Sequence, residues 1–290
     1  MAQQLKNYLS LIKFSHTIFA LPFALVGYVL GSLSVQAFSG RLLLLVILCM
    51  VFARSAAMAF NRYLDRDIDE KNPRTKVREI PAGVIPARSA LMFVIINSLA
   101  FWATTWFINP LCFALAPVAL LIILGYSYTK RFTSWCHFVL GLGLALAPVG
   151  AFLAVTGHFS LISVLYGFVV LLWVAGFDII YALQDRDFDE GLGLQSIPVA
   201  LGKRGALRLS NLLHFLCALI LVVAIYLQGQ NYSAFSWLHL LAAGFFLILL
   251  FYQHTLVKTN DLRRVNLAFF TTNGVASLVF GTLVILDAIW

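Results

Sequence analysis

Residues 161–190 read LISVLYGFVVLLWVAGFDIIYALQDRDFDE: an apolar run over 161–183, interrupted only by Asp178, that ends abruptly in Asp185, Asp187, Asp189 and Glu190. A run of that length and character is a membrane span, because crossing about 30 Å of hydrocarbon takes roughly 20 helical residues. Eight more stretches of the same kind stand at about 14–38, 42–60, 90–108, 110–127, 138–156, 209–227, 236–254 and 265–287. The fold class expected is all-α, a polytopic membrane protein of nine transmembrane helices. Nothing between the spans is long enough for a soluble domain, so residues 1–290 read as one domain. The composition agrees: 61% of the 290 residues are hydrophobic and 11% are charged. The first stretch follows Lys6 and Lys13 as a signal peptide would, but it is too long and lacks a small-residue cleavage site, so it is expected to remain as the first span.

A net charge of +8 could point to nucleic acid, and the placement of the charges argues against it. All the Lys and Arg residues except Arg41 and Arg54 lie before the first span, in the links after spans 2, 4, 6 and 8, or at the adjoining helix ends. By the positive-inside rule these parts face the cytoplasm and the C-terminus faces out. No nucleic-acid partner is expected; the bilayer is the partner, and the basic side could also receive an anionic substrate. The four cysteines lie scattered in apolar segments and imply neither disulfides nor zinc. The six histidines show no metal-ligand spacing.

Ten of the twelve acidic residues fall within 65–79 and 178–190. The hexapeptides Asp65-Arg66-Asp67-Ile68-Asp69-Glu70 and Asp185-Arg186-Asp187-Phe188-Asp189-Glu190 differ at one position and lie 120 residues apart, each at the same end of its span. That echo predicts two pseudo-repeated halves, about 1–135 and 136–290, sharing one site at one membrane surface. On a continuing helix Asp65 and Asp69 share a face, as do Asp185 and Asp189, and Asn61 extends the first stripe by a turn. Like charges so placed repel, and hard oxygen donors without His or Cys favour Mg²⁺. Asp65, Asp69, Asp185, Asp189 and Asn61 are therefore the candidate ligands.

A metal ion bridging carboxylates and phosphate oxygens can neutralise the leaving charge of an allylic diphosphate. Arg62, Arg66, Arg74, Arg78, Lys130, Arg131 and Arg186 are candidates to hold the remaining phosphate charge. Tyr126 and Tyr181 neighbour the charged sites. Deeper in the membrane, where ionisable groups are costly and usually functional, stand Arg54, seven residues before Asn61, and Asp178, seven before Asp185. Two readings are open. In one, Arg54 and Asp178 form a structural ion pair; in the other they line an acceptor pocket, Arg54 taking a carboxylate and Asp178 addressing a phenol or the arene proton. The run from Gly141 to Gly150 is expected to pack closely through small residues.

The patterns Asn61-x3-Asp65-x3-Asp69, Asp178-x2-Tyr181-x3-Asp185-x3-Asp189 and Tyr126-x3-Lys130 together resemble the motifs of the UbiA superfamily of intramembrane prenyltransferases, over the whole chain. The resemblance implies nine helices around a central cavity, cytosolic cap loops bearing the aspartates, Mg²⁺, and a polyprenyl diphosphate donor. It also implies a bacterial inner-membrane location, with Arg54 and Asp178 near an aromatic acceptor. Within the family, segments 12–23 and 61–75 resemble the branch acting on 4-hydroxybenzoate; relatives sharing that first helix prenylate 1,4-dihydroxy-6-naphthoate. A CDP-alcohol phosphotransferase would gather its aspartates in one helix pair with D-G and A-R elements; this chain has no such D-G-x-x-A-R run and splits its aspartates 120 residues apart. A transporter would carry its polar residues near mid-bilayer in broken helices.

Overall fold

The computed structural model describes residues 2–12 and 19–290. Among them the chain is helical: α1 (Ala2–Leu11), α2 (Leu21–Val35), α3 (Gly40–Leu64), α4 (Arg66–Lys71), α5 (Ala87–Trp106), α6 (Pro110–Thr129), α7 (Cys136–Thr156), α8 (Leu161–Ala182), α9 (Arg186–Gly191), α10 (Ile197–Asn231), α11 (Leu238–Leu256) and, after one π-helical stretch at Leu267–Thr272, α12 (Asn273–Ile289). Eight of these helices are long and apolar enough to cross a bilayer, so the protein is a multi-pass membrane protein. The ninth expected span, 14–38, contains α2, which is shorter at 15 residues; residues 14–18 of that span, and 13–18 of the segment 12–23, lie outside the described residues.

Local chemistry sets the boundaries. The Ser39 hydroxyl accepts from the Leu42 amide and starts α3. Asn109 caps α6 through Oδ1 and ties it to the far end of α7, because its amide also donates to the Leu153 and Ala154 carbonyls. Ser196 caps α10, in which Gly202 at φ 66° breaks the helix just before Lys203 and Arg204. The most informative boundaries are at the acidic hexapeptides. Neither span continues through its cassette: α3 ends at Leu64 and α8 at Ala182, and Asp65 and Asp185 become the entry residues of the short helices α4 and α9. The i, i+4 relation survives the break, since the Asp69 amide donates to the Asp65 carbonyl and the Asp189 amide to that of Asp185.

α8 lies at the centre, packed on α7 and α10, while α2 packs on α7 and α12. Phe23, Trp173, Phe246 and Phe280 interlock there, with ring centroids 5.3–6.1 Å apart. Close backbone approach requires glycine, as expected for the 141–150 run: a Cβ on Gly141 would lie 2.5 Å from the Leu171 carbonyl oxygen, and one on Gly27 would lie 2.2 Å from that of Pro148. Neither obstacle is a flexible side-chain tip. We expect Gly27→Ala to force α2 from α7 and cost about 1–3 kcal/mol, read as a lower thermal midpoint in detergent; an unchanged midpoint would show that the contact is dispensable.

Candidate active site

The break after α3 drops Asp65 into a buried position, 3% exposed, where side chains from the end of α6 reach it. Lys130 Nζ lies 3.3 Å and Arg131 Nη2 3.0 Å from its two carboxylate oxygens, and Asn61 donates to Oδ2 at 3.1 Å. Asp69, 4% exposed, is gripped by Arg78, whose Nη1 donates to both oxygens at 2.6 and 2.8 Å. The segment after α4 then crosses to the second cassette. Arg74 donates through Nε and Nη2 to the two oxygens of Asp185, through Nη1 to the Tyr181 hydroxyl at 3.0 Å, and Asn72 adds a bond to Asp185 at 3.3 Å. Tyr181 in turn stacks on Phe269, centroids 4.1 Å apart.

Asp189 differs from the other three. It has no hydrogen-bond or ion-pair partner for its carboxylate among the described residues. Burial, with Asp185 and Asp65 nearby, pushes its carboxyl up to about 6, against the pull of Lys130. Burial likewise raises Asp65, although Lys130 and Arg131 oppose it. Among the described residues no three acidic, His or Cys side chains stand close enough to ligate one ion; Asp65, Asp69 and Asp185 hold cationic side chains instead. The donor chemistry nonetheless suits Mg²⁺, since all four groups are hard carboxylates and that ion needs only one or two of them.

Below the first cassette, α3, α5, α6 and α7 enclose an apolar cavity of about 380 Å³. Arg54, Met58 and Tyr126 line it. The Arg54 Nε is buried without a hydrogen-bond partner, and Arg54 makes no salt bridge among the described residues. Arg62, two turns nearer the cassette and 6% exposed, has the same orphaned Nε. The Tyr126 hydroxyl stands within electrostatic reach of Arg54, Arg62, Asp65 and Asp178.

The ion pair between Arg54 and Asp178, one of the two sequence readings, is not formed. Asp178 pairs with His137 at 2.7 Å instead. The reason is helix adjacency: α3 packs mainly on α5 and α6, whereas α8 packs on α7 and α10, so equal depth does not bring the two side chains together. Two basic candidates also turn away. Arg66 donates to the Tyr63 carbonyl and lies over the Tyr63 ring, and Arg186 pairs with Asp187 and Glu190. Sequence reasoning missed His137, whose partner is 41 residues away and fits no ligand spacing.

The sequence profile of the UbiA prenyltransferase family matches residues 20–275. The chain belongs to that family. A 4-hydroxybenzoate octaprenyltransferase of Tolumonas auensis is 32% identical over 87% of this chain and 85% of its own length, and one of Aliivibrio fischeri is 30% identical over 83% and 82%. Among solved structures, the apo UbiA homolog from Aeropyrum pernix superposes with a TM-score of 0.83 at 31% identity, covering 94% of this chain and 98% of that one. A UbiA homolog from Archaeoglobus fulgidus bound to DMAPP and Mg²⁺ shares the fold, with TM-score 0.74 at 22% identity, covering 98% of this chain and 99% of that one. This UbiA member is thus an enzyme, a prenyltransferase, and the phosphotransferase and transporter readings fall away.

Proposed function

We propose that this prenyltransferase moves a polyprenyl group from its diphosphate onto a ring carbon of a hydroxylated aromatic carboxylate, 4-hydroxybenzoate first among them, in quinone biosynthesis at the bacterial inner membrane, with its cassettes facing the cytoplasm. The observation that carries the acceptor class is Arg54. A guanidinium in an apolar cavity, with no salt-bridge partner among the described residues and a buried Nε unmatched, is costly unless an anion completes it. An aromatic carboxylate fits both the charge and the cavity, and the names of the two bacterial relatives agree with that choice.

The roles follow from position. The single domain is built of two like halves, each supplying one cassette. Asp65, Asp69, Asp185 and Asp189, with Asn61, would hold Mg²⁺, which when bound neutralises charge on the departing diphosphate. Lys130, Arg131, Arg74 and Arg78 already stand on those carboxylates and can transfer their hydrogen bonds to phosphate oxygens, with Arg62 close behind. Tyr126 and Tyr181 present aromatic faces beside the ionising carbon, suited to a transient allylic cation. Asp178 takes the proton that the ring releases.

The test offers 4-hydroxybenzoate and 1,4-dihydroxy-6-naphthoate separately to membranes containing the protein, Mg²⁺ and a polyprenyl diphosphate, and reads products by mass. A prenylated hydroxyaryl acid is expected, and chelation with EDTA should abolish it. The naphthoate, also a hydroxylated aromatic carboxylate though with its two hydroxyls on the ring that lacks the carboxylate, is the second reading. Prenylation of a ring lacking a carboxylate, with neither acid used, would overturn the acceptor assignment.

A further inference from the structure

His137 stands where α7, α8 and α10 meet, 3% exposed and bonded on both sides. Its Nδ1 is 2.7 Å from Asp178 Oδ2, and its Nε2 is 3.3 Å from the backbone N of Ile197, the first residue of α10. An amide in the first turn of a helix has no intrahelical acceptor, so the Ile197 N–H donates and Nε2 accepts. That fixes the tautomer. The ring proton sits on Nδ1 and is donated to Asp178; a doubly protonated ring would point a second N–H at that of Ile197. The Ser196 hydroxyl serves Val199 in the same turn, which leaves Ile197 to His137. On Asp178 the bond occupies Oδ2 alone. Oδ1 has no hydrogen-bond partner among the described residues, and the side chain is 21% exposed, against 3% for that of the histidine.

We propose that His137 is a positioning residue for the prenyl transfer: anchored by the α10 N-terminus, it holds Asp178 by Oδ2 so that Oδ1 stays turned to the acceptor ring. This rests on the proposed function. As the allylic C–O bond breaks and diphosphate leaves, the new C–C bond forms at a ring carbon. The proton of that carbon then passes to Oδ1, and the C–H electron pair restores the aromatic ring. His137 keeps its own proton throughout. Without this anchor a carboxylate at that depth would be free to turn to another rotamer, and a general base must stand within hydrogen-bond reach of the proton it takes.

Two isosteric variants separate positioning from mere support. In H137N the amide nitrogen falls where Nδ1 was and still donates to Asp178; in H137Q the amide oxygen falls where Nε2 was and accepts from Ile197 instead. With wild-type membranes and whichever ring the wild type prenylates, H137Q is expected to lower kcat about tenfold to hundredfold with KM for the diphosphate unchanged. H137N should retain most of the activity. In a D178N background, H137Q should cause no further loss, because both changes act on one group. The inference is overturned if H137Q turns over like wild type, if H137N loses as much as H137Q, or if the H137Q and D178N losses multiply. If H137Q does not accumulate, H137N decides alone, since a ring needed only to satisfy Ile197 would be lost in it. A wrong acceptor class shows separately, as wild-type silence toward both hydroxyaryl acids.

Discussion

Replacing Asp65 or Asp185 by asparagine is expected to lower prenyl transfer by at least about a hundredfold while the folded protein stays in the membrane. Asparagine keeps the shape and the acceptor oxygen but removes the charge that a divalent cation and the cationic side chains share. The choice of variant matters at Asp65. It is 3% exposed and flanked by Lys130 and Arg131, so alanine would leave two cations facing each other, a loss on the order of 3–5 kcal/mol for a broken buried pair. Asparagine separates lost chemistry from lost folding. Product formed per amount of monodisperse protein is the measurement, and near wild-type rates from both variants would refute the metal-cassette reading.

Arg54→Ala should raise KM for the acceptor roughly tenfold to hundredfold, the equivalent of a charge-assisted hydrogen bond worth about 1.5–3 kcal/mol. KM for the polyprenyl diphosphate should stay near its wild-type value. The argument is one of place. Arg54 lines the cavity, makes no ion pair among the described residues and does not touch the carboxylates that Lys130, Arg131, Arg74 and Arg78 occupy. Its removal therefore leaves the donor site intact. Steady-state kinetics with each substrate varied in turn decides the matter: equal losses for both, or for acceptors with and without a carboxylate, would make Arg54 a structural residue.

The spans were legible because hydrophobic length is a one-dimensional property, and the cassettes were legible because carboxylates are rare in such a chain. Charge alone assigns Lys130, Arg131, Arg74 and Arg78 to phosphate, whereas in the structure they stand on the carboxylates themselves. Three features exist only in three dimensions. The helix breaks at Asp65 and Asp185 leave no Pro or Gly signal, since the short helices restart at once and keep the i, i+4 backbone bond. Arg54 and Asp178 match in depth, but which helices touch depends on how the bundle is ordered around its axis, and sequence spacing carries no information on that. The Asp178–His137 contact joins α8 to α7 through a histidine that fits no ligand spacing in the sequence. Arg66 and Arg186 were placed at the site by their neighbours in sequence, and each instead found a nearer partner on its own short helix or the turn before it.

Arg74 and Asn72 belong to the segment after the first cassette, yet they hold Asp185 of the second. For a chain made from its N-terminus onward, the counter-charges for the later cassette are already synthesised when Asp185 leaves the ribosome. The reverse order would expose that carboxylate, unneutralised, at the membrane surface during insertion. A gene fusion that moved the second hexapeptide ahead of the first would lose this order of assembly, so the near-identical hexapeptides are not interchangeable in the life history of the protein.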